Sequence, residues 1–336
     1  MTDTPITQQD VYRARAAIAP LVRRTPLVTA PSLGGSGRKS GGPDVFLKLE
    51  CLQQTGSFKL RGAANRLAML TPEERSRGVV TVSTGNHGRA VAHAARRLGI
   101  RAVVCMSNLV PGNKVEAIGE LGAEIRIHGR SQDEAEVEAR RLEEEEGLVL
   151  VPPFDDRHVI AGQGTIGLEL LEDLPDLDTV LVPLSGGGLI AGVALAVKTA
   201  APGVRIVGIS MERGPAMIES LRAGRPVAVE ERESLADSLG GGIGSANRFT
   251  FAMVRDLVDE LVLVGEGEIA AAMTHLFRHE RLVVEGAAAV GAAALMAGRL
   301  ARPGRTVAAI LSGGNVDMDV FTGVVTGKPR SEEAPV

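Results

Sequence analysis

The chain has no tryptophan, a single tyrosine and seven phenylalanines. That scarcity excludes the aromatic platforms on which single-stranded nucleic acids stack. Cysteine is equally sparse: Cys51 and Cys105 are too few for a disulfide framework and lack metal-site spacing. Neither sign of charge dominates, with 37 basic against 41 acidic residues and a net charge of −4, so there is no electrostatic footprint for nucleic acid. No apolar run approaches the roughly 18 residues of a membrane span, and the polar start "MTDTPITQQD" has no signal-peptide core. These absences lead us to expect a cytoplasmic protein that meets neither nucleic acid nor membrane.

What the chain does have is a regular alternation. Its 336 residues are 44% hydrophobic, enough for two modest domains or one large one. From residue 79, "VVTVST" predicts a buried strand, "GRAVAHAARRLG" a helix closed by glycine, "RAVVCM" a strand with Cys105 as a core thiol, and "GNKVEAIGELG" a helix. "AEIRIH", the helix "SQDEAEVEARRLEEEEG" and the strand "LVLVPP" complete a first α/β region. The pattern resumes after a helix near 162–174, with strands at "TVLVPLSGGG", "VRIVGIS" and "RTVAAILSGGN", while "DVFLKLE" (44–50) predicts a strand able to pair with this later region. Strands separated by single helices call for parallel pairing through right-handed crossovers.

In open α/β sheets, ligands bind beyond the carboxyl ends of strands. Three polar or glycine-rich clusters occupy such places: "STGNHG" (83–88), "SGGGLIAG" (185–192) and "SGGN" (312–315). "SGGGL" follows a strand and opens a helix, a setting whose backbone amides bind phosphate, and it lacks the G-K-[ST] ending of a triphosphate loop. "STGNHG" suits a carboxylate, or equally the plain capping of its helix. "GQGTIG" (162–167) matches G-x-G-x-x-G in letters only: no strand precedes it, so these are small residues on a packed helix. Lys59, in "QTGSFKLRGAAN", is either an exposed loop lysine or an amine set to react with a carbonyl. A phosphate cradle, an anion-binding turn and a reactive lysine share one economical explanation, a phosphorylated aldehyde cofactor, pyridoxal 5'-phosphate.

"TGSFKLRGA", "STGNHG", "SGGGLIAG" and "SGGNVD", in this order and spacing, resemble the pyridoxal-phosphate-dependent serine/threonine dehydratase family, which includes serine racemase. The likeness runs from "RTPL" at 24–27 to "SGGNVD" at 312–317, and "GQGTIGLELLEDLPD" and "MERG" look most like dehydratases of hydroxyectoine utilisation. The resemblance implies α/β fold type II, like the tryptophan synthase β-subunit, with two domains, each an open and mostly parallel sheet flanked by helices. Residues 1–53 and 153–330 are then the large cofactor-binding domain, 54–152 the small substrate-side domain, and 331–336 a disordered tail.

The resemblance further implies Lys59 as the Schiff-base lysine, with Phe58 packed against the cofactor, and Asn86 on the ring hydroxyl. Gly186, Gly187, Gly188 and Leu189 cradle the phosphate, and Ser312 faces the pyridine nitrogen. Ser83, Thr84, Gly85, Asn86 and His87 take the substrate carboxylate, with Thr84 also a catalytic candidate. Gly241, in the glycine loop "SLGGGIG", and Glu285 are secondary candidates. The implied reaction is loss of water from a hydroxy amino acid such as L-threonine or L-serine, or a hydroxyectoine-derived compound, in a homodimer. Lys59 serves as base at Cα and the cofactor phosphate or a turn hydroxyl protonates the leaving group. A neutral hydroxyl at the ring nitrogen favours elimination over transamination.

Some positions depart from the family. Racemases carry serine where Thr84 stands, and Ser210 and Ala216 replace the acidic ligands of the family's divalent-cation site, so no metal is expected there. Cys51 and Gln54 replace commoner residues before the lysine motif, and the chain stops near residue 336, short of the regulatory domain of biosynthetic threonine dehydratases. His275 and His279, four apart, read as a helix face rather than a metal site. The rival readings are a racemase or β-replacement enzyme on the same fold, a non-catalytic ligand-binding protein, and a nucleotide-binding dehydrogenase.

Overall fold

The computed structural model describes residues 5–34, 42–83, 85–110 and 112–327. In chain order the elements are α1 (Gln8–Ile18), β1 (Leu27–Thr29), β2 (Asp44–Leu49), α2 (Lys59–Ala68), α3 (Pro72–Arg77), β3 (Val79–Val82) and α4 (Asn86–Leu98). Then come β4 (Ala102–Met106), α5 (Gly112–Gly119), β5 (Glu124–Ile127), α6 (Gln132–Glu146), β6 (Val149–Leu150), α7 (Arg157–Asp173), β7 (Thr179–Pro183) and α8 (Gly188–Ala200). The chain continues through β8 (Arg205–Met211), α9 (Ala216–Ala223), α10 (Thr250–Leu257), β9 (Glu260–Val264), α11 (Glu266–His275), α12 (Gly286–Met296), β10 (Thr306–Leu311) and α13 (Met318–Thr326).

Two sheets result. One has six strands in the order β1-β2-β10-β7-β8-β9, the other four in the order β5-β4-β3-β6. Among the described residues, every pairing between these strands is parallel except that of the edge strand β1 with β2. The strand expected at 44–50 does join the later region, pairing with β10 from Asp44 opposite Thr306 to Leu49 opposite Leu311. Parallel strands need crossovers, and helices cover both faces of the larger sheet: α11 and α12 pack with one core, α8 and α9 with the other.

Two boundaries differ from the sequence reading, for local reasons. The stretch "LVLVPP" pairs only at Val149 and Leu150, because Pro152 and Pro153 have no amide hydrogen to give a ladder. α7 starts at Arg157 rather than near 162, because Asp156 caps it by accepting from the amides of His158 (2.7 Å) and Val159 (2.9 Å).

The glycines of "GQGTIG" are buried in α7, and they are contact points. A Cβ on Gly162 would stand 2.8 Å from Gly62 Cα of α2, and one on Gly164 would stand 2.9 Å from Gly192 O of α8. Helix α7 therefore presses directly on both the helix that opens with Lys59 and the helix that opens with the glycine turn.

Candidate active site

Lys59 is the first residue of α2 and is partly buried. Its Nζ donates to Pro153 O at 2.8 Å and lies 5.3 Å from the centre of the Phe58 ring. Burial pushes its ammonium down to about 8, with the negative charge of Glu285 acting in the opposite direction. The positive end of α2 adds to the cost of a cation there. The amine is thus neutral in part at ordinary pH, which a surface lysine is not. Two residues before Pro153, Val151 O receives His87 Nε2 at 3.0 Å and Thr81 Oγ1 at 2.9 Å. Burial, reinforced by the Lys59 charge, pushes the His87 imidazole down to about 3, so Nε2 carries the hydrogen and Nδ1 is a bare acceptor.

The lysine loop is stitched to the chain after β10. Phe58 N donates to Ser312 O at 3.0 Å, Gly314 N donates to Gly56 O at 2.9 Å, and Ser57 bridges Gly313. This stitching seats Ser312, itself buried, beside the lysine motif. Asn86, at the start of α4, donates Nδ2 to both carboxylate oxygens of Glu285 at 3.0 Å. Its Oδ1 accepts from Asn315 Nδ2 at 2.6 Å, and Asn315 also donates to Thr55 O at 2.8 Å. Burial pushes the Glu285 carboxyl up to about 7, against hydrogen bonds from Asn86 and Ser238 that favour its charge. A lysine near 8 and a carboxyl near 7 are two groups able to exchange protons with a substrate at neutral pH.

The glycine turn follows β7. A Cβ on Gly186 would fall 2.4 Å from the Phe154 ring, and one on Gly188 would fall 2.9 Å from Phe154 Cα. Gly187 has φ of +90°, and a Cβ there would meet Met217 Cε at 2.9 Å and Thr250 Cβ at 3.0 Å. A side chain is crowded or strained at all three positions, and the turn opens α8, whose start has no side-chain cap.

The structure brings Lys59, Phe58, Asn86, His87, Ser312 and Glu285 together. Ser83 and Gly85 lie on the turn before α4, and Ser83 Oγ accepts from Gly85 N at 3.3 Å. Thr84 lies outside the described residues, as does the expected tail at 331–336. Gly241 sits in the loop before α10, where the nearest atom to an added Cβ is Glu231 Oε1 at 3.8 Å. Ser210 is buried on β8 and Ala216 opens α9; among the described residues no three potential ligands gather around a metal position.

Three things escaped sequence reading: Asn315, the segment 153–155, and a buried ionic quartet beneath α2. Arg61 bonds both oxygens of Glu50 (2.9 Å each) and both of Glu169 (2.6 and 2.9 Å). Lys48 Nζ meets Glu169 Oε2 at 2.6 Å and Thr25 O at 2.7 Å. Lys48, Glu50 and Arg61 are 0% exposed and Glu169 is 6% exposed, so two cations and two anions neutralise each other away from water. The signal available was weak: charged residues at apolar-facing positions, such as Lys48 within "VFLKLE".

The site fits pyridoxal phosphate on the chain's own geometry. It has an amine of lowered pKa, a glycine turn where side chains are crowded or strained, and buried polar atoms without a partner among the described residues: Thr55 Oγ1, Ser57 Oγ and His87 Nδ1. Comparison with known proteins agrees. A family model described as pyridoxal-phosphate dependent enzyme matches residues 18–313. Over 328 residues, 98% of both chains, the sequence is 55% identical to a Sinorhizobium fredii protein to which threonine dehydratase activity is ascribed. It is 44% identical to an L-threonine ammonia-lyase of Thermotoga maritima, over 95% of this chain and 78% of that one. The solved structure of maize serine racemase superposes with a TM-score of 0.89 at 36% identity, covering 96% of this chain and 98% of the other. On both the geometry and the likeness, the chain belongs to the pyridoxal-phosphate dependent enzymes.

Proposed function

We propose that this enzyme is a lyase that removes water from a β-hydroxy-α-amino acid of the L-threonine or L-serine type, yielding a 2-oxo acid and ammonia. The observation that carries the reading is Lys59: a partly buried amine, its pKa lowered to about 8, beside a carboxyl held near 7. The names of the relatives, threonine dehydratase and L-threonine ammonia-lyase, support the substrate class.

When bound, pyridoxal phosphate supplies an aldehyde for the substrate amine and an electron sink for charge at Cα. In this reading Lys59 Nζ would anchor it, Phe58 would pack beside it, the amides of Gly186 to Leu189 would take the phosphate, and Asn86 and Ser312 would hold the ring hydroxyl and the ring nitrogen. Lys59 Nζ would be the base that takes the Cα proton. The turn from Ser83 to His87, Thr84 included, orients the substrate carboxylate. Glu285 holds or releases a proton at its carboxyl and fixes the Asn86 amide. His87 stays neutral and does not protonate the leaving hydroxyl.

The six-stranded sheet draws all its strands from 1–53 and 153–330 and the four-stranded sheet from 54–152, which supports a large cofactor domain and a small substrate-side domain with those bounds. Among the described residues no helix is long and apolar enough to cross a membrane. A cytoplasmic homodimer completes the reading, and light scattering on the purified protein tests the dimer.

The deciding experiment supplies pyridoxal phosphate and then L-threonine, L-serine or hydroxyectoine-derived amino acids, following 2-oxo acid and ammonia. Release of both in equal amounts is the expected result; no release from any hydroxy amino acid overturns it. Likeness to serine racemase favours one second reading, racemisation. Chiral analysis of the remaining serine separates the two.

A further inference from the structure

Four consecutive residues, Pro153 to Asp156, each fasten a different part of the site. Pro153 O holds Lys59 Nζ. Phe154 closes against Gly186 and Gly188. Asp156 caps α7 and pairs with Arg66 at 3.2 Å. Asp155 reaches the other way: its Oδ1 accepts from the amides of Phe249 and Thr250, both at 2.9 Å, and its Oδ2 from the amide of Arg248 at 2.6 Å.

Those amides begin α10, the helix that walls the glycine turn. Thr250 Cβ and Val254 Cγ2 stand 3.0 and 3.2 Å from where a Cβ on Gly187 would be. One carboxylate therefore ties the outer wall of the cradle to the segment that holds the lysine, through charge-assisted bonds to the amides of the N-cap, the first helical residue and the residue before them.

We infer that Asp155 is a positioning residue for the phosphate half of the cofactor: acting through α10, it sets the width of the glycine cradle. The inference rests on the pyridoxal phosphate reading. Loss of Asp155 loosens the start of α10, which Asn247 still holds, accepting from Phe251 N at 2.9 Å and donating to Thr250 Oγ1 at 2.8 Å. The lysine side stays fixed, because Asp156 still caps α7 and Val151 N still bonds Val80 O. The consequence falls on phosphate recognition and spares aldehyde capture.

Pyridoxal 5'-phosphate and pyridoxal share the aldehyde, ring nitrogen and ring hydroxyl and differ only in the phosphate. The test measures dissociation constants of both, by equilibrium dialysis, for the wild-type chain, Asp155→Ala and Asp155→Asn, with melting temperatures alongside. We expect Asp155→Ala to weaken pyridoxal phosphate by about tenfold, the scale of a lost helix cap, and to leave pyridoxal unchanged. Asp155→Asn falls between, since its amide oxygen still accepts from Phe249 and Thr250 while its amino group opposes the Arg248 amide. Equal weakening of both compounds, or of neither, overturns the inference and leaves Asp155 a plain structural cap. Should Asp155→Ala fail to fold, Asp155→Asn is held to the same comparison. A wild-type chain that binds neither compound defeats the cofactor reading instead.

Discussion

Lys59 and Glu285 carry opposite shifts with one cause. Burial penalises charge, so it lowers the lysine to about 8 and raises the carboxyl to about 7. Capture of pyridoxal phosphate by the apoprotein requires the neutral amine, whose fraction grows as pH rises through the lysine pKa. The rate at which a visible absorbance band forms is therefore expected to rise with a midpoint near 8, and Lys59→Ala is expected to form no such band. Because Glu285 acts to raise the Lys59 pKa, Glu285→Gln is expected to move that midpoint below 8. A midpoint near that of a free lysine, about 10.4, would show the amine to be solvated. His87 gives a second pH effect, this time on stability. Its folded pKa of about 3 lies below the ordinary 6.5, so the unfolded chain binds the extra proton between those values, and stability falls as pH drops below 6.5. Glu285 works in the other direction, gaining stability as pH falls from about 7 toward 4.5. Urea unfolding of wild type and His87→Gln across that range isolates the histidine, since Glu285 is common to both. The wild type is expected to lose more stability on acidification than the variant.

At the scale of elements, the site is held by how α2, α7 and α8 meet. The quartet of Lys48, Glu50, Arg61 and Glu169 joins β2, α2 and α7 beneath the lysine helix. With every partner present it is electrically neutral; removing one partner strands a buried charge. Arg61→Met is accordingly expected to cost about 3–5 kcal/mol in urea unfolding. A loss within about 0.5 kcal/mol, the range of an ordinary surface change, would show that water reaches the quartet. Gly187→Ala tests the cradle. Its φ of +90° strains any L side chain, and a methyl group there would crowd Thr250 Cβ at 3.0 Å, so pyridoxal phosphate binding is expected to weaken well beyond the effect of alanine at an exposed glycine such as Gly203.

For the molecule as a whole, the two sheets bring chain segments far apart in sequence to one place: the loop before α2, the start of α4, the turn after β7 and the chain after β10. A ligand that binds only this assembled state must stabilise it. Pyridoxal phosphate at 100 times its dissociation constant is expected to add about 2.7 kcal/mol to the unfolding free energy, read as a concentration-dependent rise in melting temperature. Inorganic phosphate, meeting only the cradle, is expected to raise it less.

How much of this was legible follows from the range of each interaction. Lys59, the turn at 83–87 and the glycines at 186–188 are local: strand, turn and helix start are neighbours in sequence, so spacing and residue type suffice to mark them. The alternation of strand and helix likewise determined two parallel sheets. Asn86 meets Glu285 across 199 residues and Arg61 meets Glu169 across 108, and no local pattern encodes such pairings. Asp155 carries no local signal of its role, because the amides of Phe249 and Thr250 that it accepts from lie 94 and 95 residues further along the chain. By itself the sequence determined which chemistry the chain can perform, because reactive groups sit in short motifs. Only the tertiary structure decided which carboxylates those motifs face and how far burial shifts them, because burial and long-range pairing exist only once the chain has folded.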